Sequence, residues 1–221
     1  MSSTTERRTA TEGVELREDV DADGPVAIGY AATFNKLSQN LGGFVERIAP
    51  GAFRSTLKQA DVRALFNHEP DLLLGRSTSG TLRMVEDEVG LRYEIDLPDT
   101  SLGRDVGELL KRGDITGSSF GFRVISEDWS ETDDGYPLRT LTEIGPLRDV
   151  GPVTFPAYTS SEASLRSLAE SRSLDLHDLV DAANSNELAA LLKSSQERNE
   201  EEEEAPCETH ANLVRRSWAI R

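Results

Sequence analysis

Two short stretches carry residues able to make and break an acyl bond. In Gly117-Ser118-Ser119-Phe120-Gly121-Phe122 an adjacent serine pair lies between two glycines. Strand alternation puts Phe120, Phe122 and Val124 on one face, and Ser119, Gly121 and Arg123 on the other. The aromatic face can anchor in a core while Ser119 stands opposite it, and the glycines leave room for another backbone. A rigid strand presenting a small hydroxyl in an open setting meets the needs of a serine nucleophile. A strand with a serine pair and no chemistry fits the same letters. Ser118, on the opposite face, is the reserve nucleophile. In the second stretch, the apolar run from Val62 to Phe66 delivers Asn67-His68 to its end, and Glu69-Pro70-Asp71 follows at once. A histidine at a strand end beside a proline-stiffened loop can be held in one orientation, as a general base requires. A partly exposed surface histidine is the plain alternative. Metal chemistry is not expected: the chain has only His68, His177 and His210, none at ligand spacing from another. No cofactor-binding residues are expected either.

Many short elements must position these residues. The apolar spacing of Leu102, Val106, Leu109 and Leu110 predicts a helix ahead of the serine stretch, with an N-cap candidate in Pro98–Ser101 and Gly113-Asp114 as its stop. Strands are predicted at Val14–Val20, Val26–Phe34, Phe44–Ile48, Val62–Phe66 and Leu72–Gly75. Others follow at Leu82–Val85, Leu91–Leu97, Leu138–Ile144 and Leu147–Phe155, with a short helix from Ala52 to Gln59. Asn35–Gly43 reads as a polar loop, either a flap or plain surface, and Glu127–Tyr136 as another polar loop. This pattern predicts an α+β, mainly β fold: a small barrel-like core of short, largely antiparallel strands with helices around it. Residues 1–12 have almost nothing to bury and read as a disordered leader, and 13–171 as the main domain. Residues 172–221 read as a helical and acidic tail. Helices are expected at Ser161–Ser171 and Leu174–Lys193, followed by the acidic run Glu197–Glu204. This tail is either a helical hairpin packed on the core or an assembly handle that is later cut away.

Composition narrows the function. The 221 residues carry 24 Lys+Arg against 40 Asp+Glu, a formal charge of −16. That disfavours nucleic-acid binding, which needs clustered cations, and suits a basic or scaffold-like protein partner. The single Cys207 excludes an internal disulfide and fits a reducing cytoplasm, and its acidic neighbours disfavour a thiolate. No apolar run is long enough to span a bilayer, and the N-terminus lacks a signal-peptide core.

Five stretches, in order, resemble the tailed-phage prohead (capsid maturation) serine protease family, related in fold to the herpesvirus assembly proteases. They are Gly29–Phe34, Glu46–Phe53, Phe66-Asn67-His68 with Leu74-Gly75-Arg76, Gly113–Phe122, and Asp149–Tyr158 ending in Pro-Ala-Tyr. The resemblance covers roughly residues 26–165. Two positions depart from the family pattern: Ser118 stands where a bulkier apolar residue is more usual, and Asp149 where Glu is more frequent. The resemblance implies a barrel-like core and a triad of Ser119 as nucleophile, His68 as base and Asp149 as its orienting acid. Asp149 rests on the motif alone, with Asp114, Glu143 and Glu46 as reserves.

The resemblance also implies a substrate, the scaffolding segment of the major capsid protein and then the protease itself, and a place, inside the assembling prohead in the host cytoplasm. A homo-oligomer that forms its site only at high local concentration would keep such an enzyme quiet until enclosed. Two other classes remain. One is a catalytically inactive assembly or scaffold protein. The other is an esterase, for which Gly117-Ser118-Ser119-Phe120-Gly121 has the letters of a nucleophile elbow but runs on into a strand rather than a helix.

Overall fold

The computed structural model describes residues 4–10, 13–17, 24–58, 61–155, 161–185 and 187–195. Its elements run β1 (Glu6–Ala10), β2 (Glu15–Arg17), β3 (Val26–Thr33), β4 (Val45–Ile48), α1 (Arg54–Leu57), β5 (Arg63–Leu65) and β6 (Leu73–Arg76). Then come β7 (Leu82–Glu86), β8 (Gly90–Asp96), α2 (Ser101–Arg112), β9 (Gly117–Phe122), β10 (Val124–Glu131), β11 (Pro137–Ile144) and β12 (Asp149–Val153). Helices α3 (Ser161–Arg172) and α4 (Leu176–Asn184) follow, and residues 188–195 form α5.

The fold is α+β and mainly strand, as expected, but it is not a closed barrel. The described residues form three sheets, with strand orders β1-β9-β12-β5-β6, β10-β11-β4 and β2-β3-β8-β7. The chain leaves the first sheet at Arg123 and enters the second one residue later, so β9 and β10 turn a corner instead of extending one ladder. The sheets enclose one large apolar core. Within it Phe120 stacks on Phe122 at 4.7 Å and meets Phe53 edge-on at 5.7 Å.

Local chemistry explains the boundaries of α2 and the β7–β8 turn. Thr100 caps α2 by accepting from the Gly103 amide at 3.2 Å. Gly113, at φ 76°, closes the helix in the left-handed conformation. The β7–β8 turn is held by Asp87, whose Oδ1 accepts from the amides of Val89 and Gly90.

Three expectations need correction besides the barrel. Glu127–Glu131, read as loop, lie in β10. It is an edge strand with one wet face, so its polar alternation is strand patterning. The helix expected over Leu174–Lys193 is two, α4 and α5, broken near Ser185. Glu6–Ala10, within the expected leader, form β1, paired antiparallel along β9.

Helices α3 to α5 build a second apolar cluster around Leu41, Phe44, Leu165, Leu168, Leu179, Leu188 and Leu192, with Trp129 edge-on to Phe44 at 5.1 Å. The loop of residues 35–43 is thereby seated on the helices through Leu41. The acidic run Glu197–Glu204, Cys207 and His210 lie outside the described residues.

Candidate active site

Ser119 sits in the middle of β9, opposite Gly151 of β12 on one side and Thr9 of β1 on the other. Phe120 and Phe122 turn into the core, which fixes the strand's rotation and sends the Ser119 hydroxyl to the opposite face. There Oγ lies 2.6 Å from His68 Nε2. His68 Nδ1 in turn is hydrogen-bonded to Asp149 Oδ2. The three residues named as catalytic candidates are therefore brought together in one hydrogen-bonded series.

His68 reaches this position by a costly backbone path. Asn67 and His68 both adopt left-handed conformations, at φ 54° and 60°. Such residues persist where the surroundings over-determine them, and they cluster at functional sites. Here Asn67 supplies the restraint. Its amide donates to the Pro152 carbonyl at 3.1 Å, its Nδ2 to Thr154 Oγ1 at 3.2 Å, and its Oδ1 accepts from the Thr154 amide at 2.8 Å. The histidine loop is thus pinned to the end of β12, the strand that begins with Asp149. Asn67 is a positioning residue that spacing alone did not single out. A non-glycine residue placed between an apolar strand and its histidine was the available signal.

Asp149 is held by β12 and given space by β9. Its Cα partner is Gly121, and a Cβ at Gly121 would lie 2.6 Å from Asp149 Oδ1. The glycine of Phe-Gly-Phe therefore makes room for the carboxylate. Ser118 Oγ donates instead to the Tyr93 hydroxyl at 3.0 Å, on the core side. Burial pushes the Tyr93 phenol well above its ordinary value. The reserve acids stand elsewhere, Glu143 on β11 opposite Ser126 of β10. Asp114 pairs with Arg112 at 2.9 Å near the surface, and Glu46 lies buried against Arg8 and Arg139.

One expectation about the setting fails: Ser119 is fully buried rather than open. Strand β1 covers it, and Ser119 Oγ lies 2.9 Å from the Arg8 carbonyl oxygen as a donor. Arg8 is anchored by carboxylates: its Nε donates to Glu46 Oε1 at 2.7 Å, its Nη2 to Glu46 Oε2 at 3.0 Å and to Glu6 Oε2. Arg139 Nη1 joins from β11, 3.0 Å from Glu46 Oε2 and 3.2 Å from Glu6 Oε2, and its Nε reaches Glu127 Oε2 at 2.7 Å. Burial alone would raise the Glu6 carboxyl, but Arg8 and Arg139 hold it below its ordinary value.

A serine, a histidine within hydrogen-bond reach and a carboxylate behind it are the parts with which acyl-transfer hydrolases work, and their arrangement defines the class independently of chain order. The chain belongs to the Caudovirus prohead serine protease family, whose sequence model matches residues 12–175. It is also similar to the solved bacteriophage T4 capsid assembly protease, at 13% identity over 69% of this chain and 99% of that one, with a TM-score of 0.45. No curated protein sequence matches it. Among the described residues no helix is long and apolar enough to cross a membrane.

Proposed function

We propose that this phage prohead protease is a serine endopeptidase acting through Ser119, His68 and Asp149. Its substrate is the scaffolding region of the major capsid protein, and then the protease itself, inside the assembling prohead. The observation that carries this reading is the hydrogen-bonded series Ser119–His68–Asp149 in a chain of this family. Ser119 attacks the peptide carbonyl while His68 takes the hydroxyl proton. The tetrahedral intermediate collapses to an acyl-enzyme as His68 returns that proton to the leaving amine. Water, deprotonated by His68, then releases the acid and restores Ser119. Asp149 keeps the imidazole in the tautomer with its proton on Nδ1 and stabilises the imidazolium that forms in each half-reaction.

Co-expression with the phage's major capsid protein, read by intact mass, tests the reading. The expected result is loss of a defined capsid segment with the wild-type chain and none with Ser119→Ala. Cleavage that persists in Ser119→Ala rules out Ser119 as the nucleophile. Absence of cleavage in both, with scaffold and portal proteins also supplied, leaves the chain as an inactive assembly protein.

A further inference from the structure

The nucleophile strand has two edges, and only one is occupied by an element that the triad needs. Strand β12 lies on one side and brings Asp149. On the other side lies β1, the outermost strand of the sheet and one that precedes the residues matched to the family. Its backbone runs antiparallel to β9, and the Arg8 carbonyl oxygen accepts from Ser119 Oγ at 2.9 Å. That is a hydrogen bond to the oxygen and not the approach of about 3–3.5 Å to the carbon that attack requires, but it sets a peptide group of an antiparallel strand beside the nucleophile. Binding of an extended peptide at a sheet edge uses the same geometry, with main-chain bonds giving affinity and alternate side chains giving selectivity.

In β1 the alternate side chains Glu6, Arg8 and Ala10 are buried, whereas Arg7 is exposed. Arg8 is received by Glu46 through two hydrogen bonds, and its guanidinium lies over the Phe122 ring at 5.5 Å. Without β1 this pocket would lose the guanidinium that Glu46 now receives through both of its carboxylate oxygens, and a basic side chain of an incoming strand would replace it.

We propose that the β9 edge opposite β12 is the substrate-binding site, a strand-addition groove that in this state holds the chain's own β1. Glu46 and Phe122 there receive a basic side chain from the substrate residue whose carbonyl meets Ser119. This inference rests on the serine-protease reading above. It makes the present state a latent one for two reasons. Ser119 is fully buried, so a second peptide cannot reach it. The hydroxyl also has a single proton and two acceptors within reach, His68 Nε2 and the Arg8 carbonyl. A proton given to the carbonyl is not available to the base. Displacement of β1 frees the groove, the hydroxyl and the selectivity pocket together.

The test uses the full chain and a fluorophosphonate probe, which bonds to an activated serine oxygen with loss of fluoride. The extent of labelling is followed by intact mass. Arg8→Ala is expected to label about tenfold faster than wild type or more, the factor expected when fewer than about one wild-type molecule in ten is open. A second chain carries an inserted site for a sequence-specific protease at residues 11–12, so that it folds with β1 in place and is cut afterwards. Cutting is expected to raise labelling similarly, and added synthetic peptide of residues 4–10 to lower it again. The released enzyme is expected to hydrolyse peptides with Arg before the cleaved bond about tenfold faster than matched peptides with Leu, and Glu46→Gln to erase that preference. Labelling of Ser119 at the same rate with β1 intact, cut or altered overturns the groove assignment while leaving the serine hydrolase standing. An Arg preference that survives Glu46→Gln overturns the assignment of Glu46. No labelling of any folded chain, cut or uncut, removes both this inference and the activity on which it rests.

Discussion

Strand β9 is bounded on one edge by β12 and on the other by β1, and the two neighbours are held by different physics. Toward β12 the contact is an apolar ladder. Val150 and Val153 are buried with Phe120 in or beside the core, and the five-residue register sets Asp149 against Gly121. Toward β1 the ladder is equally long, but beside Ala10 the buried side chains are the ionic Glu6 and Arg8, fastened by Glu46 and Arg139. Burying an apolar face stabilises a strand under almost any aqueous condition. Burying ions is a near balance between desolvation and attraction, and removing one partner upsets it. The difference separates a permanent edge, which carries Asp149, from a conditional edge, which in the proposal above controls access to Ser119.

The largest effects are expected from the permanent side. His68→Ala is expected to lower peptide hydrolysis by about a million-fold relative to the parent chain, the loss seen when a serine–base unit is broken. Asp149→Asn is expected to cost about ten-thousand-fold, because an amide donates where the carboxylate accepts and so favours the wrong imidazole tautomer. Both are read as kcat on one peptide under identical conditions, with circular dichroism unchanged. An Asp149→Asn variant within a few-fold of the parent would show that the acid contributes nothing beyond packing.

The charge cage comes next. Arg139 is fully buried and touches Glu6, Glu46 and Glu127. Arg139→Ala removes the guanidinium that these three acids share and is expected to lower stability by about 3–5 kcal/mol. Urea unfolding measures it. A loss below about 1 kcal/mol would mean that the conditional edge does not depend on its charges.

How far these edges could be read in the sequence differed in the same way. The β12 side was legible because apolar alternation and the Asp149 motif are local signals, and His68, Ser119 and Asp149 indeed meet. The capping Thr100 and Gly113 were legible for the same reason. The β1 side was not. Glu6 and Arg8 look solvated in sequence, and their burial depends on Glu46 and Arg139, which lie far along the chain. Strand β10 was missed likewise, since Glu127 is polar in sequence but answers Arg139 in space. The open sheets were also beyond reach, because the corner at Arg123 is a property of packing and not of strand count.

A smaller change sharpens the permanent edge. Gly121→Ala adds one methyl group where Asp149 Oδ1 would lie 2.6 Å away. The carboxylate must swing aside, and His68 loses its orientation. The expected result is a kcat about a hundredfold lower with KM nearly unchanged, since displacement of a positioning group by about 1 Å costs that much. Crystallography of the variant should show the moved carboxylate. Unchanged kcat would show that the close approach has no bearing on the site.

The smallest effect concerns acid and the conditional edge. The Glu6 carboxyl is held below its ordinary value of 4.5 in the folded chain, against burial, by Arg8 and Arg139. A depressed folded-state value means that unfolded chains bind the proton more readily. The stabilisation is therefore fully present above about pH 4.5 and is lost as pH falls through the lowered value. Around Glu6 stand Arg8 on its own strand, Arg139 on β11, Glu46 on β4, Glu127 on β10 and Ser167 on α3. All of these remain in Glu6→Gln, so their contributions largely cancel between the two chains. Wild type is expected to exceed Glu6→Gln in stability at pH 7, and the gap to narrow steadily below pH 4.5 as measured by urea midpoints. A gap that stays constant or widens in acid would mean that Glu6 is not held as an anion, and the electrostatic account of β1 would fall with it.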